Sequence, residues 1–350
     1  MNTILWGDCR ASLATFKAFG VKAQTCVTSP PYYGLRSYLP DGHPDKALEV
    51  GAEETPEQFI AGLVEVFRSV RDVLADTGTA WLNLGDTYGA NKQLLGMPWR
   101  VALALQSDGW ILRQDIVWAK AESGDERVGR AMPESVRDRC SKAHEYIFML
   151  AKSPAYYFDN EAIKEPAQDW GRDRDRSKMR SGTTDPKLKH GGLDKVNHAM
   201  GNRRSVWRVS PAGFKGAHFA VYPYKLIEPC VLASTSERGH CPACGAIWIR
   251  QVERTAMVIN KSARNEERGT RTAAGGTMVS PASSVTTGWA ASCACGLAPV
   301  PDIVLDPFMG SGTTAGVALK HGRQYIGCEL NRDYESLQAE RIAQIVKAVA

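Results

Sequence analysis

Apolar and polar positions along the 350-residue chain follow two periods in turn. Short runs rich in β-branched and aromatic residues read as strands: "AQTCVT", "GTAWLNLGD", "ILRQDIVWAK", "DIVLDPF" and "QYIGCEL". "PEQFIAGLVEVFRSVRDVLADTG", "GMPWRVALALQSDG" and "TTAGVALKHG" instead place apolar residues at helical spacing. The first of these opens on Thr55-Pro56, a cap followed by a first-turn proline. "HEYIFMLAKSP" and "YYFD" predict a strand pair, and a last helix is expected from about Arg332 onwards. This alternation predicts an α/β fold around a largely parallel sheet, with no internal repeat.

One strand–helix junction carries chemistry. In "DIVLDPFMGSGTTAGVALKHGRQYIGCEL", Gly310, Gly312 and Ala315 fit G-x-G-x-x-G/A between a strand and a helix. Glu329 ends the next strand, where an acid can accept hydrogen bonds from ribose hydroxyls. The tight turn lets a ligand approach the backbone at a helix N-terminus. No Gly-Lys-Ser/Thr follows, so a Walker A loop is excluded. The spacing predicts a nucleoside cofactor and leaves dinucleotides and S-adenosylmethionine both open.

A second junction is "VTSPPYYGLR". Pro30 and Pro31 lack N–H groups and cannot continue a central ladder, so the strand must stop with its carbonyls facing out of the sheet. The Pro30 carbonyl and the Ser29 hydroxyl are then acceptors, and Tyr32 offers a face on which a planar ring can stack. Two acceptors beside a stacking face suit a planar exocyclic amino group. Holding its two hydrogens favours a pyramidal nitrogen with its lone pair aimed at an electrophile, so positioning carries the catalysis.

Charge adds a partner. The net charge is +5, yet Lys164 to Arg208 alone contains 12 Lys/Arg against 6 Asp/Glu, so this stretch accounts for the whole excess. It predicts a loop facing a polyanion. No apolar run is long enough for a membrane span, and the N-terminus lacks signal-peptide features, so a cytoplasmic protein is expected. Nine cysteines include Cys241 and Cys244 in "CPACG" and Cys293 and Cys295 in "CACG", a set suited to structural zinc. Cys9, Cys26, Cys140 and Cys328 read as packing residues, as does Cys230 in a helical "YKLIEPCVLAS".

"TSPPY" upstream and "DPFMGSGTT" downstream resemble the S-adenosylmethionine-dependent DNA amino-methyltransferases, in the motif order of their β group. The resemblance extends through "ILWGDCRASL", "GTAWLNLGD", "LRQDIVWAK", "HEYIFMLAKSPAYYFD" and "GAHFAVYPYKLIEPCVLAS". It implies a Rossmann-like methyltransferase fold, motif-permuted, acting on a flipped-out base in double-stranded DNA. By the resemblance Ser29, Pro30, Pro31 and Tyr32 form the catalytic loop. Asp8, His218, Asp306, Phe308, Gly310, Ser311, Gly312, Thr313 and Glu329 hold the cofactor. Here Phe219 follows His218, where the family carries a proline. The basic stretch falls where β-group members read their target, with Arg172, Arg174, Arg176, Arg180, Arg203 and Arg204 as DNA contacts. The target leans to adenine N6, with cytosine N4 as the alternative. A homodimer, a cognate restriction enzyme and association with the nucleoid through DNA come with the resemblance, although no residue fixes them; an orphan enzyme is equally open.

The expected parts are a catalytic half (1–160), a basic recognition region (161–210), a cofactor-packing segment (211–233), a cysteine-rich insertion (234–299) and a cofactor-binding half (300–350). Two other readings compete. A nicotinamide-dependent oxidoreductase explains the glycine turn but leaves Ser-Pro-Pro-Tyr without a role. A non-catalytic zinc-containing DNA-binding protein leaves the catalytic motif unexplained.

Overall fold

A computed structural model describes residues 1–120, 135–166, 200–211, 222–255, 258–260, 277–280 and 283–347. The chain divides into two compact units.

The larger unit is Met1–Ala162, Arg204–Ile249 and Ala291–Ala350. Its eight-stranded sheet uses β1 (Asn2–Trp6), β2 (Ala23–Thr28), β3 (Leu74–Leu84), β4 (Ile111–Lys120), β5 (His144–Ala151) and β6 (Val206–Val209). After β7 (Trp248–Thr255) and β8 (Ser283–Ala291), which pair mostly within the second unit, β9 (Ile303–Asp306) and β10 (Gln324–Glu329) complete the sheet. The order is β1-β10-β9-β2-β3-β5-β4-β6. Only β5 runs antiparallel to its neighbours; the other pairings are parallel. All six residues of β2 are buried, as a central parallel strand covered on both faces requires.

Helices α1 (Cys9–Ala18), α2 (Pro56–Val73) and α3 (Met97–Ser107) pack in sequence as one layer. The other layer is α4 (Tyr224–Ser234), α5 (Thr313–Lys320) and α6 (Glu335–Lys347). Helix α2 begins with a full capping box, Thr55 with Gln58, and buries Phe59, Leu63, Val66, Phe67, Val70 and Val73. Each fully buried side chain of this kind contributes about 1.5–3 kcal/mol. These residues join Leu13, Val101, Leu105 and Trp110 in the main core.

Three expectations need correction. The helical pattern that runs on to Gly78 stops at Val73, because Leu74 pairs with Ala23 in the sheet and gives its carbonyl to Lys152 Nζ at 2.9 Å. Tyr156–Asp159 forms no strand; it runs as an irregular segment in which Tyr157 N donates to Thr77 and Asp159 N to Ala233. Cys140 is exposed, whereas Cys9, Cys26, Cys230 and Cys328 are buried.

The smaller unit is Ile163–Arg203 with Arg250–Ala290. It contains most of the pairing between β7 (Trp248–Thr255) and β8 (Ser283–Ala291), with Arg250 stacked on Trp289 at 4.2 Å. Glu165–Pro166 pairs antiparallel with Met200–Gly201. No described helix is long and apolar enough to cross a membrane.

Candidate active site

Strands β1, β10, β9 and β2 are parallel neighbours, so their C-terminal ends share one edge of the sheet. Ligands of open α/β sheets bind at that edge. A cavity opens there. One wall is Ser29, Pro30, Pro31 and Tyr32 from the loop after β2. The facing wall carries Phe308 and Gly310 from the turn after β9 and Glu329 from the end of β10, with Asp8 after β1. Two motifs some 280 residues apart in sequence therefore meet.

The two walls are built differently. Tyr32 sends its hydroxyl to Glu145 Oε2 at 2.7 Å, and Asn83 Oδ1 lies 3.2 Å from that hydroxyl. Burial first, then the Glu145 charge, pushes the Tyr32 phenol well above its ordinary pKa, so it stays a donor. Ser29 donates to Asn83 Oδ1 at 3.3 Å. A Cβ on Gly85 would come within 2.5 Å of Tyr32 Cε2, so only glycine leaves room for the ring.

On the opposite wall, Glu329 accepts from the Gly310 amide at 2.7 Å and from the Asn331 amide at 2.9 Å. Burial raises its pKa to about 7 despite those amides. Gly312 has φ +81°, and a Cβ there would press on Ile342 at 3.1 Å, so the glycine both turns the chain and admits α6. Asp8 caps α1 through the Arg10 amide and pairs with the Arg10 guanidinium at 3.0 Å.

Four expected cofactor residues stand behind this wall and do not line the cavity: Asp306, Ser311, Gly312 and Thr313. Asp306 is fully enclosed. Its Oδ1 accepts from Thr28 at 2.6 Å and from the Phe308 amide at 3.0 Å, and its Oδ2 from Thr314 at 2.6 Å and Tyr222 at 3.2 Å. Burial lifts its pKa to about 6. Asp306 thus ties β2, the turn and α5 together. His218 and Arg172, Arg174, Arg176 and Arg180 lie outside the described residues. Arg203 is half-buried and Arg204 exposed; they fall on either side of the division between the two units.

Cys241, Cys244, Cys293 and Cys295 converge in the larger unit, all four Sγ atoms within 4.8 Å of one another. Tetrahedral zinc with Zn–S of about 2.3 Å separates sulfurs by about 3.8 Å, so the thiols fit the ion. The Cys244 and Ala243 amides draw the Cys241 thiol down to about 6, giving one ready thiolate. The cluster adjoins β9: His240 bridges to Val300, and Asp302 takes the Ser236 amide and His240 Nδ1.

Absent from the sequence-based expectations are Asn83, Gly85, Lys120 and Glu145 around the serine–proline wall, and Tyr38, Glu49 and Tyr222 elsewhere. The "NLGD" that closes the buried strand β3 was the available signal for the first two. Glu49 takes the Tyr38 and Leu39 amides and shapes a loop that lines the cavity, which no motif announces.

Comparison with known proteins gives the class first. The fold is that of solved methyltransferases. TTHA0409 from Thermus thermophilus, complexed with S-adenosyl-L-methionine, is 20% identical with a TM-score of 0.50, covering 99% of this chain and 95% of that one. The cytosine-N4-specific PvuII DNA methyltransferase is 15% identical with a TM-score of 0.52, covering 100% and 93%. Sequence narrows the class. Residues 23–241 and 297–341 match the DNA methylase family N6_N4_Mtase. Type II methyltransferase M.SmaI of Serratia marcescens is 34% identical over 344 residues, 90% of this chain and 82% of that protein. M.Cfr9I of Citrobacter freundii is 32% identical over 368 residues, 97% and 87%. The chain belongs to the N6/N4 DNA methylase family, S-adenosylmethionine-dependent enzymes that methylate exocyclic amino groups of DNA. That membership sets aside the nicotinamide oxidoreductase.

Proposed function

We propose that the cavity is the methyl-transfer chamber, with cofactor on the glycine-turn wall and the extruded base on the serine–proline wall. The single observation behind this is the shared lining: Ser29, Pro30 and Tyr32 face the same space as Phe308, Gly310 and Glu329. Asp8, Phe308, Gly310 and Glu329 would hold S-adenosylmethionine directly; Asp306, Ser311, Gly312 and Thr313 would shape the turn beneath it. When bound, the cofactor supplies an electrophilic methyl group on a sulfonium. Tyr32 stacks the base, at a cost of a few kcal/mol for extrusion. The Pro30 carbonyl and Ser29 hydroxyl would take the two amino hydrogens, leaving the nitrogen lone pair free for the methyl carbon; the sulfur would depart as a neutral thioether with the carbon–sulfur bonding pair, and one amino proton would pass to solvent.

The motif string as a whole supports adenine N6 as the base; serine at its first position supports cytosine N4 as the second reading. We assign the smaller unit to target recognition, uniting the basic region with the middle of the cysteine insertion, and give zinc to the four-cysteine cluster. The relatives' type II character supports a cognate restriction enzyme, a duplex-DNA substrate and a cytoplasmic, nucleoid-associated site of action. The homodimer rests on the family resemblance alone.

The test is expression in cells lacking DNA methylation, then long-read sequencing and digestion to nucleosides. One modified base in one sequence context is expected. N6-methyladenine alone supports the first reading and N4-methylcytosine alone the second. No modification, with the protein folded and cofactor bound, would refute both.

A further inference from the structure

The reaction needs the Ser29 hydroxyl to act as an acceptor, and a serine hydroxyl can point either way. Asn83, on β3, removes that freedom. Its Nδ2 donates to the Tyr146 carbonyl at 3.0 Å and reaches Glu145 Oε2 at 3.4 Å. This fixes the amide's orientation and turns Oδ1 towards the loop. Oδ1 then receives the Ser29 hydroxyl proton at 3.3 Å, leaving only lone pairs on Ser29 for the base.

Glu145, on β5 opposite Trp118 of β4, does the same for the stacking ring. It takes the Tyr32 hydroxyl at 2.7 Å. Its other oxygen is 2.6 Å from Lys120 Nζ on β4, an ion pair only 13% and 24% exposed at the carboxylate and the ammonium. Gly85 backs the ring so closely that no side chain fits there. Three consecutive strands, β3, β5 and β4, thus each contribute a group that reaches the catalytic loop directly or through another.

We propose that Asn83 and Glu145 are positioning residues for methyl transfer: Asn83 sets Ser29 as a hydrogen acceptor, and Glu145, anchored by Lys120, sets the tilt of Tyr32. Neither is among the residues lining the cavity; each meets it through Ser29 or Tyr32. The inference rests on the reading of the cavity as a methyl-transfer chamber.

Two double-mutant cycles test it, with kcat, KM for DNA and cofactor Kd measured on the full chain. Losing one such hydrogen bond lowers kcat roughly tenfold or more. Asn83→Ala and Glu145→Ala should each do so with cofactor Kd within about twofold of wild type. Asn83→Ala should cost much less on a Ser29→Ala background than on wild type, its remaining effect being the contact with the Tyr32 hydroxyl, and Glu145→Ala much less on Tyr32→Phe, because the main group each orients is already gone. Glu145→Gln, which keeps an acceptor for Tyr32, should recover most of the Glu145→Ala loss. Effects that multiply in both cycles overturn the proposal, as does a loss of kcat matched by weakened cofactor binding and a lowered melting temperature. If Asn83→Ala or Glu145→Ala fails to fold, the cycle of Tyr32→Phe with Glu145→Gln decides it: a Gln effect that persists undiminished without the hydroxyl overturns it. A wild-type enzyme that binds cofactor but transfers no methyl to DNA sinks the underlying reading, an outcome distinct from multiplying cycles.

Discussion

The two loops at the sheet edge solve the same problem with different materials. The serine–proline loop is held by side chains reaching in from β3 and β5, Asn83 and Glu145 above all. The glycine turn is held mainly through its own backbone, with the Gly310 amide on Glu329 and the Phe308 amide on Asp306. Side chains offer choice of donor and acceptor, which suits discrimination of a base edge. Backbone amides offer a fixed cradle, which suits a cofactor that never changes. Damage to the first wall should appear in turnover, and damage to the second in cofactor affinity and stability.

The largest expected effect is at Tyr32. Removing an aromatic stacking platform costs about 1–3 kcal/mol per base, so Tyr32→Ala should lower methyl transfer roughly 10- to 100-fold, or more if stacking also orients the nitrogen. Calorimetry should find its cofactor Kd unchanged; a matching loss of cofactor binding would erase the contrast between the walls.

Glu329→Gln should act in the opposite way, weakening the cofactor. It also carries a pH signature. Its folded-state pKa is raised to about 7 from the ordinary 4.5. The folded form therefore holds a proton that the unfolded form has already released, and this group's contribution to stability falls as pH rises from about 4.5 to 7. Ribose hydroxyls bond best to the ionised acid, so cofactor affinity should rise as pH passes upward through about 7, and Glu329→Gln should flatten that rise. A profile identical in wild type and variant would contradict the assignment.

Two glycines sharpen the comparison. Gly85→Ala should displace the Tyr32 ring and depress kcat, leaving cofactor Kd near wild type. Gly312→Ala puts a side chain at φ +81°, costing about 1–2 kcal/mol, and should lower the melting temperature by a few degrees. The smallest effect lies away from both walls. Replacing Arg203 and Arg204 with alanine should reduce the slope of log affinity against log salt by about 1 per lost phosphate contact. Gel-shift titrations across salt concentrations would read it, and an unchanged slope would remove these residues from the DNA interface.

Much of the fold was legible because strand, turn and helix chemistry is local. Gly310, Gly312 and Glu329 lie within 20 residues, and Pro30-Pro31 stops a strand without help from elsewhere. Strand order is not local. Inserting β5 between β3 and β4 pairs Asn83 with Ile147 and brings Glu145 to Tyr32 across 113 positions, a distance over which periodicity says nothing. The α2 boundary failed for the same reason, since Leu74 is claimed by Ala23 and Lys152 from distant segments. Asp306 was found by motif but not its place: a carboxylate looks the same in sequence whether it faces a ligand or four internal donors. The four cysteines were legible as a set, and their convergence despite a C-x-C pair follows from the fold around His240 and Val300. Metal analysis of carefully prepared protein should find about one zinc per chain, lost in Cys241→Ser with Cys244→Ser.

The most direct test is a crystal structure with S-adenosylhomocysteine bound. Its adenosine should lie along Asp8, Phe308 and Glu329, with the sulfur turned towards Ser29, Pro30 and Tyr32. A ligand seated on another face, or a sulfur pointing away from the tyrosine, would contradict a shared chamber for base and methyl donor.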